Sequence, residues 1–302
     1  MPLILVPLFT FFVLVANPAV SANFEKGMDA YAIGNYATAL KELKPLAERG
    51  DTGAQISMGV MYEKGRGVTQ NFKTAVKWYT IAAAQGNARA QFNLGAMYYN
   101  GHGVPQKHKT AVKWFTRAAK KGFVIAQFKL GEMYYKGIGV KENYKTAAKW
   151  HKLSAEQGYA MAQAKLGLMY ANGQGVVRDY KTAVKWYKLA AKQANASAQY
   201  DLGVIYHNGL GVIQNFKTAV KWYTLAAAQG EYRAQSNLGV MSYQGKGVSQ
   251  DYTRAHMWWV IAASQGDNNA KKKIVIIEKT MTSAQIVEAK RLARKWMEKH
   301  GK

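Results

Sequence analysis

The chain has 302 residues and 49% hydrophobic content, which excludes general disorder, and it has no cysteine, which excludes disulfides, thiolate nucleophiles and Cys-ligated zinc. Lys and Arg outnumber Asp and Glu by 42 to 17, a formal net charge of +25 that favours anionic partners and says nothing about fold. Only five prolines against 28 glycines point to helices separated by glycine turns.

The chain opens on an almost wholly apolar run from Met1 to Val15, and its first charged side chain is Glu25. Val20-Ser21-Ala22 places small residues at the −3 and −1 positions of a signal-peptidase site after Ala22. Pro7 and Pro18 break the run, which is short for a membrane span, although its start carries no Lys or Arg. The expectation is a cleaved signal peptide over residues 1–22 and an exported chain, periplasmic or secreted; the alternative is an uncleaved N-terminal membrane anchor. No Cys follows the run, so a lipid-anchored form is excluded.

Residues 23–53 read as a capping helix pair whose turn is Gly34-Asn35 and whose second helix carries Tyr36 and Ala39. From Ala54 onward the register repeats every 36 residues. Gly59, Gly95, Gly131, Gly167, Gly203 and Gly239 mark it, as do Trp78, Trp114, Trp150, Trp186, Trp222 and Trp258. Paired turn glycines, from Gly65 and Gly67 to Gly245 and Gly247, are each followed by a valine. Six units follow, 54–89, 90–125, 126–161, 162–197, 198–233 and 234–269. Each reads as two helices, the first ended by the glycine pair. On the second, Trp78, Ala82, Ala75, Tyr79, Phe72 and Ala83 share one face, with Trp78 expected to fill the space beside Gly59. Residues 270–302 form the C-terminal cap: Val275 stands where the repeat glycine would be, and a last helix begins after Thr282, whose hydroxyl and Gln285 form a capping box.

The copy from Ala90 to Gly122, AQFNLGAMYYNGHGVPQKHKTAVKWFTRAAKKG, resembles the Sel1-like repeat, a relative of the tetratricopeptide repeat. Departures are Ser242 for the repeat tyrosine, His108 for an aromatic, Ser154 for an alanine and Ala194 for the closing glycine. The resemblance covers residues 24–302 and implies an all-α fold, an α-solenoid in a right-handed superhelix of 36-residue helix-turn-helix units with capping helices at both ends. It implies an adaptor that binds a protein or peptide on the concave face. Cysteine-rich secreted members of the wider family have been linked to β-lactam binding or hydrolysis, but this chain lacks their disulfides and any S-x-x-K.

No H-E-x-x-H, G-x-S-x-G or Walker A loop occurs, and the G-x-G pairs lack the third glycine of a dinucleotide fingerprint. His102 and His108 share a turn region, yet no histidine pairs at i, i+4 with an acidic residue, and carboxylates are scattered. The reading is a non-enzyme without cofactor or metal.

Two periodic features remain. The first is a set of lysine pairs spaced by four: Lys73 and Lys77, Lys109 and Lys113, Lys145 and Lys149, Lys181 and Lys185, Lys217 and Lys221. They fall opposite the apolar face, either as a solvated face or as an anion-binding ribbon for a polyanion or membrane surface. The second is a variable stripe on the first helix, whose members Phe92, Tyr99, Phe128, Tyr135, Tyr200, His207 and Tyr243 are candidate partner-binding residues, with Ala164 and Ala171 at the same positions of the fourth unit. The alternative is that these rings half-bury within the stack. The expected partner is a protein or peptide, of an acidic kind if the charge is used; nucleic acid is not expected, and the oligomeric state is left open. Gln55, Gln91, Gln127, Gln163, Gln199 and Gln235 are read as ties between neighbouring units.

Overall fold

A computed structural model of the protein describes residues 18–300, with side chains from residue 23 onward. Residues 1–17 of the expected signal lie outside the described residues, and the expected cleavage point after Ala22 falls inside the first helix.

The chain divides into two units, one ending at Lys121 and one beginning at Gly122. The first contains α1 (Pro18–Ala32), α2 (Tyr36–Glu48), α3 (Thr52–Lys64), α4 (Phe72–Ala84), α5 (Ala88–Asn100) and α6 (His108–Lys120). The second contains α7 (Val124–Lys136), α8 (Tyr144–Glu156), α9 (Ala160–Asn172), α10 (Tyr180–Lys192) and α11 (Ala196–Asn208). It continues with α12 (Phe216–Ala228), α13 (Tyr232–Gln244), α14 (Tyr252–Ser264), α15 (Asn268–Glu278) and α16 (Ser283–His300). No strand occurs among the described residues. Within each unit the architecture is an α-solenoid: every first helix (A) packs on its own second helix (B), and every B helix packs on the next A helix.

Local chemistry fixes the helix ends. Asn143 and Asn215 accept hydrogen bonds from the backbone N–H groups of Thr146 and Thr218, each at 2.8 Å, and so start α8 and α12. A helices stop at a left-handed glycine such as Gly173, at φ 71°. The second turn glycine meets a further demand: a Cβ on Gly175 would run into the backbone of Tyr144 and Lys145, so this turn rests on the start of the preceding B helix. Where the other repeats close on glycine, Ala194 takes φ 58°, a left-handed backbone that costs an alanine about 1 kcal/mol.

The repeat glycine on each A helix faces a ring on its own B helix. A Cβ on Gly167 would lie 2.8 Å from the Tyr187 ring, and one on Gly95 would lie 2.8 Å from Phe115. The rings in this series are Tyr79, Phe115, His151, Tyr187, Tyr223 and Trp259, all buried. This corrects the expectation for the tryptophans: Trp78 and its equivalents are half-buried, and the residue after each of them fills the core. The B helix is wedged between two A helices, so its apolar face has two halves. Tyr79 packs toward the following repeat, while Trp78 closes the joint with the preceding one.

Buried glutamines tie the repeats, as expected. Gln163 donates to the Ala155 carbonyl at 3.1 Å and accepts from Gln193 Nε2 at 2.9 Å. The same rung joins Gln85 to Gln55, Gln157 to Gln127, Gln229 to Gln199 and Gln265 to Gln235. One rung is missing. Lys121 occupies the register position of the donor glutamine, and Gln91 Oε1 is left buried without a donor.

At the C-terminal end α16 packs on α14, and α15 is left with Val275 and Ile276 each 61% exposed. The capping box forms: Thr282 N–H donates to Gln285 Oε1 at 2.9 Å, and Gln285 N–H donates to Thr282 Oγ1 at 3.3 Å. Among the described residues no helix is long and apolar enough to cross a membrane.

Two substitutions with opposite signs test this packing by thermal melting. Lys121→Gln should restore the missing rung and raise stability by about 1 kcal/mol. Gly167→Ala should press a methyl into the Tyr187 ring and lower stability by about 1–3 kcal/mol.

Candidate functional site

In the second unit the A helices α7, α9, α11 and α13 belong to consecutive repeats and present their stripe residues in register. Phe128 on α7 and Tyr200 on α11 are rings, but the fourth repeat has only Ala164 between them. The gap is a cleft of about 370 Å³ whose walls include Phe128, Glu132, Lys165, Asp201 and Arg233.

Glu132 is the negative pole on one side. Lys165 Nζ lies 3.2 Å and His151 Nε2 3.4 Å from its Oε1, and Lys136 Nζ lies 3.3 Å from Oε2. Oε1 is buried, with the Lys165 ammonium and the His151 ring as its neighbours. Burial alone would raise the Glu132 carboxyl; the His151 ring and the Lys165 ammonium outweigh it and hold the group down at about 2. His151 is itself buried, which lowers its pKa and keeps the imidazole neutral despite Glu132.

Asp201 is the opposite case. Burial raises its carboxyl to about 6 against the lowering influence of the Arg233 charge and the hydrogen bond with Tyr187. Arg233 grips Glu231 through two hydrogen bonds of 2.8 and 2.9 Å, and its guanidinium lies 4.3 Å from the centre of the Tyr200 ring. The cleft therefore presents carboxylates and cations together over an apolar wall. That arrangement can hold a polypeptide through charge-assisted hydrogen bonds.

The seven stripe residues divide. Phe92 packs at 5.4 Å on Phe115, Phe128 at 5.4 Å on His151, and Tyr200 at 6.0 Å on Tyr223. Tyr99 lies 5.0 Å from His108, Tyr135 lies 5.1 Å from Tyr144, and His207 lies 5.4 Å from Phe216. These six are half-buried against rings on the B helices of their own repeats. Tyr243, 39% exposed, walls an apolar cleft of about 390 Å³ with Val240, Trp259 and Ile276.

The ten lysines of the periodic pairs lie on B helices of both units. Lys73, Lys77, Lys109 and Lys113 lie on α4 and α6 of the first unit, whereas Lys145, Lys149, Lys181, Lys185, Lys217 and Lys221 lie on α8, α10 and α12 of the second. All ten are exposed, and none has a carboxylate within ion-pair distance among the described residues. The two turn-region histidines do not form a site: His102 stacks on Phe72 at 4.7 Å while His108 lies against Tyr99. No group able to hold a metal ion occurs among the described residues.

Sequence reasoning treated the carboxylates as scattered and missed the charges of the cleft. A signal was present: Asn93, Lys129, Lys165, Asp201 and Asn237 recur every 36 residues, a polar column down the A helices in which Lys165 and Asp201 carry opposite charges.

The Asp201 carboxyl has a measurable consequence. Between its ordinary pKa near 4 and its folded value of about 6, the folded chain keeps a proton that the unfolded chain has released, so rising pH favours unfolding over that window. His151 works in the opposite sense on acidification, so the comparison must be with a variant. The stability of Asp201→Asn relative to the unaltered chain should grow by about 1–3 kcal/mol from pH 4 to pH 7 in denaturant titrations.

The Sel1 repeat family model matches residues 52–87, 88–123, 124–159, 160–195, 196–231 and 233–267. A Sel1 repeat protein from Oxalobacter formigenes is 32% identical, over 80% of this chain and 99% of that chain, with a TM-score of 0.75. A protective antigen of uropathogenic Escherichia coli strains, displaying an SLR fold, is 27% identical over 93% of this chain and 77% of that chain, with a TM-score of 0.55. No curated protein shows a significant match. With six consecutive repeats matched over more than half of its length, the chain belongs to the Sel1 repeat family.

Proposed function

We propose that this chain is an exported, non-catalytic adaptor that holds a protein segment against the A-helix face of its second unit. Sel1 repeat proteins typically serve as protein-interaction scaffolds, which is the general basis of the reading. The observation that carries it here is the Ala164 cleft. The fourth repeat has Ala164 where its two neighbours carry Phe128 and Tyr200, and the space is walled by Phe128 and by four charges of both signs. Export rests on the apolar run and on Val20-Ser21-Ala22.

Ala164→Tyr tests the binding role without wrecking the fold, because Phe92, Phe128 and Tyr200 already occupy this register position. A partner recovered by co-purification should lose about 2 kcal/mol or more of affinity for the variant, while the thermal midpoint holds or rises. Unchanged affinity with an intact melt would refute the cleft as the binding place. Mass analysis of protein from the cell envelope should find Asn23 as the mature N-terminus; an intact Met1 there would refute cleavage.

A further inference from the structure

The two most exposed large hydrophobic side chains in the described structure are Ile213 at 91% and Val177 at 87%. They occupy the same register position in consecutive repeats of the second unit, just ahead of α12 and α10. Four residues on stand Lys217 and Lys181, then Lys221 and Lys185, then Leu225 and Leu189, the leucines 49% and 43% exposed. Residues four apart share a helix face, so each B helix carries a lysine, a lysine and a leucine in one outward line. Leu153 repeats the pattern after Lys145 and Lys149 on α8, and is 44% exposed. Both α10 and α12 pack on α11, which brings their outward lines within roughly 20 Å of each other.

A ridge kept only for solubility would place no aliphatic side chain at these points, and a ridge built for a soluble polyanion would gain nothing from them. Lysines in the first turns also sit at the positive end of the helix dipole, so the positive field there is reinforced. Opposing charge is nearly absent. Asp179 is the one carboxylate in residues 173–192 and 209–228, and its oxygens accept from the N–H groups of Lys181 and Thr182 and from the Thr182 hydroxyl. Exposed cations beside protruding aliphatics match the two layers of an anionic bilayer surface, headgroup phosphates outside and acyl chains beneath.

We propose that the ridge formed by Val177, Lys181, Lys185, Ile213, Lys217 and Lys221 docks on an anionic lipid bilayer surface, on the opposite helices from the Ala164 cleft and independently of it. The test is co-sedimentation of the full chain with phosphatidylcholine vesicles and with vesicles containing phosphatidylglycerol, reading the excess bound to the anionic ones. That excess excludes any contribution of the apolar N-terminal run that neutral vesicles share. Phosphatidylglycerol should raise binding by about 10-fold or more, and Lys181, Lys185, Lys217 and Lys221 changed together to Gln should abolish the rise. Val177→Ser with Ile213→Ser should cut it by about fivefold while leaving the affinity for soluble polyphosphate unaltered. No rise with anionic lipid, or a rise that ignores the lysine change, would overturn the proposal. So would a serine variant that binds vesicles as the unaltered chain does, which would make the ridge a general polyanion binder.

Discussion

Everything in the six repeats depends on a glycine on the A helix lying flat against a ring on its B helix. The contact leaves no room for a Cβ, so it sets how closely the helices approach, and it recurs every 36 residues from Gly59 to Gly239. That approach distance leaves the B helix one half of its apolar face to offer the next repeat. The glutamine rungs then satisfy the polar groups that the close stacking buries. A ring may be Tyr, Phe, His or Trp, but the glycine never changes. The smaller partner is the stricter one, as overpacking predicts.

Because that frame is rigid, variation around it becomes legible as shape and charge. His151 in the ring series places a buried imidazole beside Glu132, and Ala164 in the stripe opens the cleft next to them. Tyr187 reaches across to Asp201 of the following repeat, so the buried carboxyl is at once a tie between repeats and a wall of the cleft. The half-buried stripe rings serve the stack as well as any partner. Removing Tyr135, whose ring carries Lys165 at 4.5 Å, would disturb both. The small residue in that stripe is thus a cleaner handle on function than its aromatics.

The helices, their pairing and the register ties could be read from the sequence, since six copies in one phase average away local ambiguity. Which ring enters the core could not. Trp78 and Tyr79 are neighbours on one wheel, and only the wedge between two A helices decides that the tyrosine is swallowed and the tryptophan seals the edge. The cleft was hidden for a related reason. Its walls come from four A helices at different offsets, and the informative stripe member was an alanine, a residue that draws attention only once its neighbours' rings are placed. The exposed aliphatics beside the lysines escaped notice because periodicity marks a residue as repeated, not as outward.

If nearest-neighbour nesting is what the molecule rests on, the array should shorten by a whole repeat and still close. Deleting residues 196–231 removes α11 and α12 and joins Asn195 to Tyr232 in register, so that the end of α10 meets α13 as it met α11. Circular dichroism of this deletion should show unchanged helicity per residue and one cooperative melt. A deletion that lost its helicity, or melted without cooperativity, would contradict the account, because long-range order and not the glycine–ring contact would then hold the stack together.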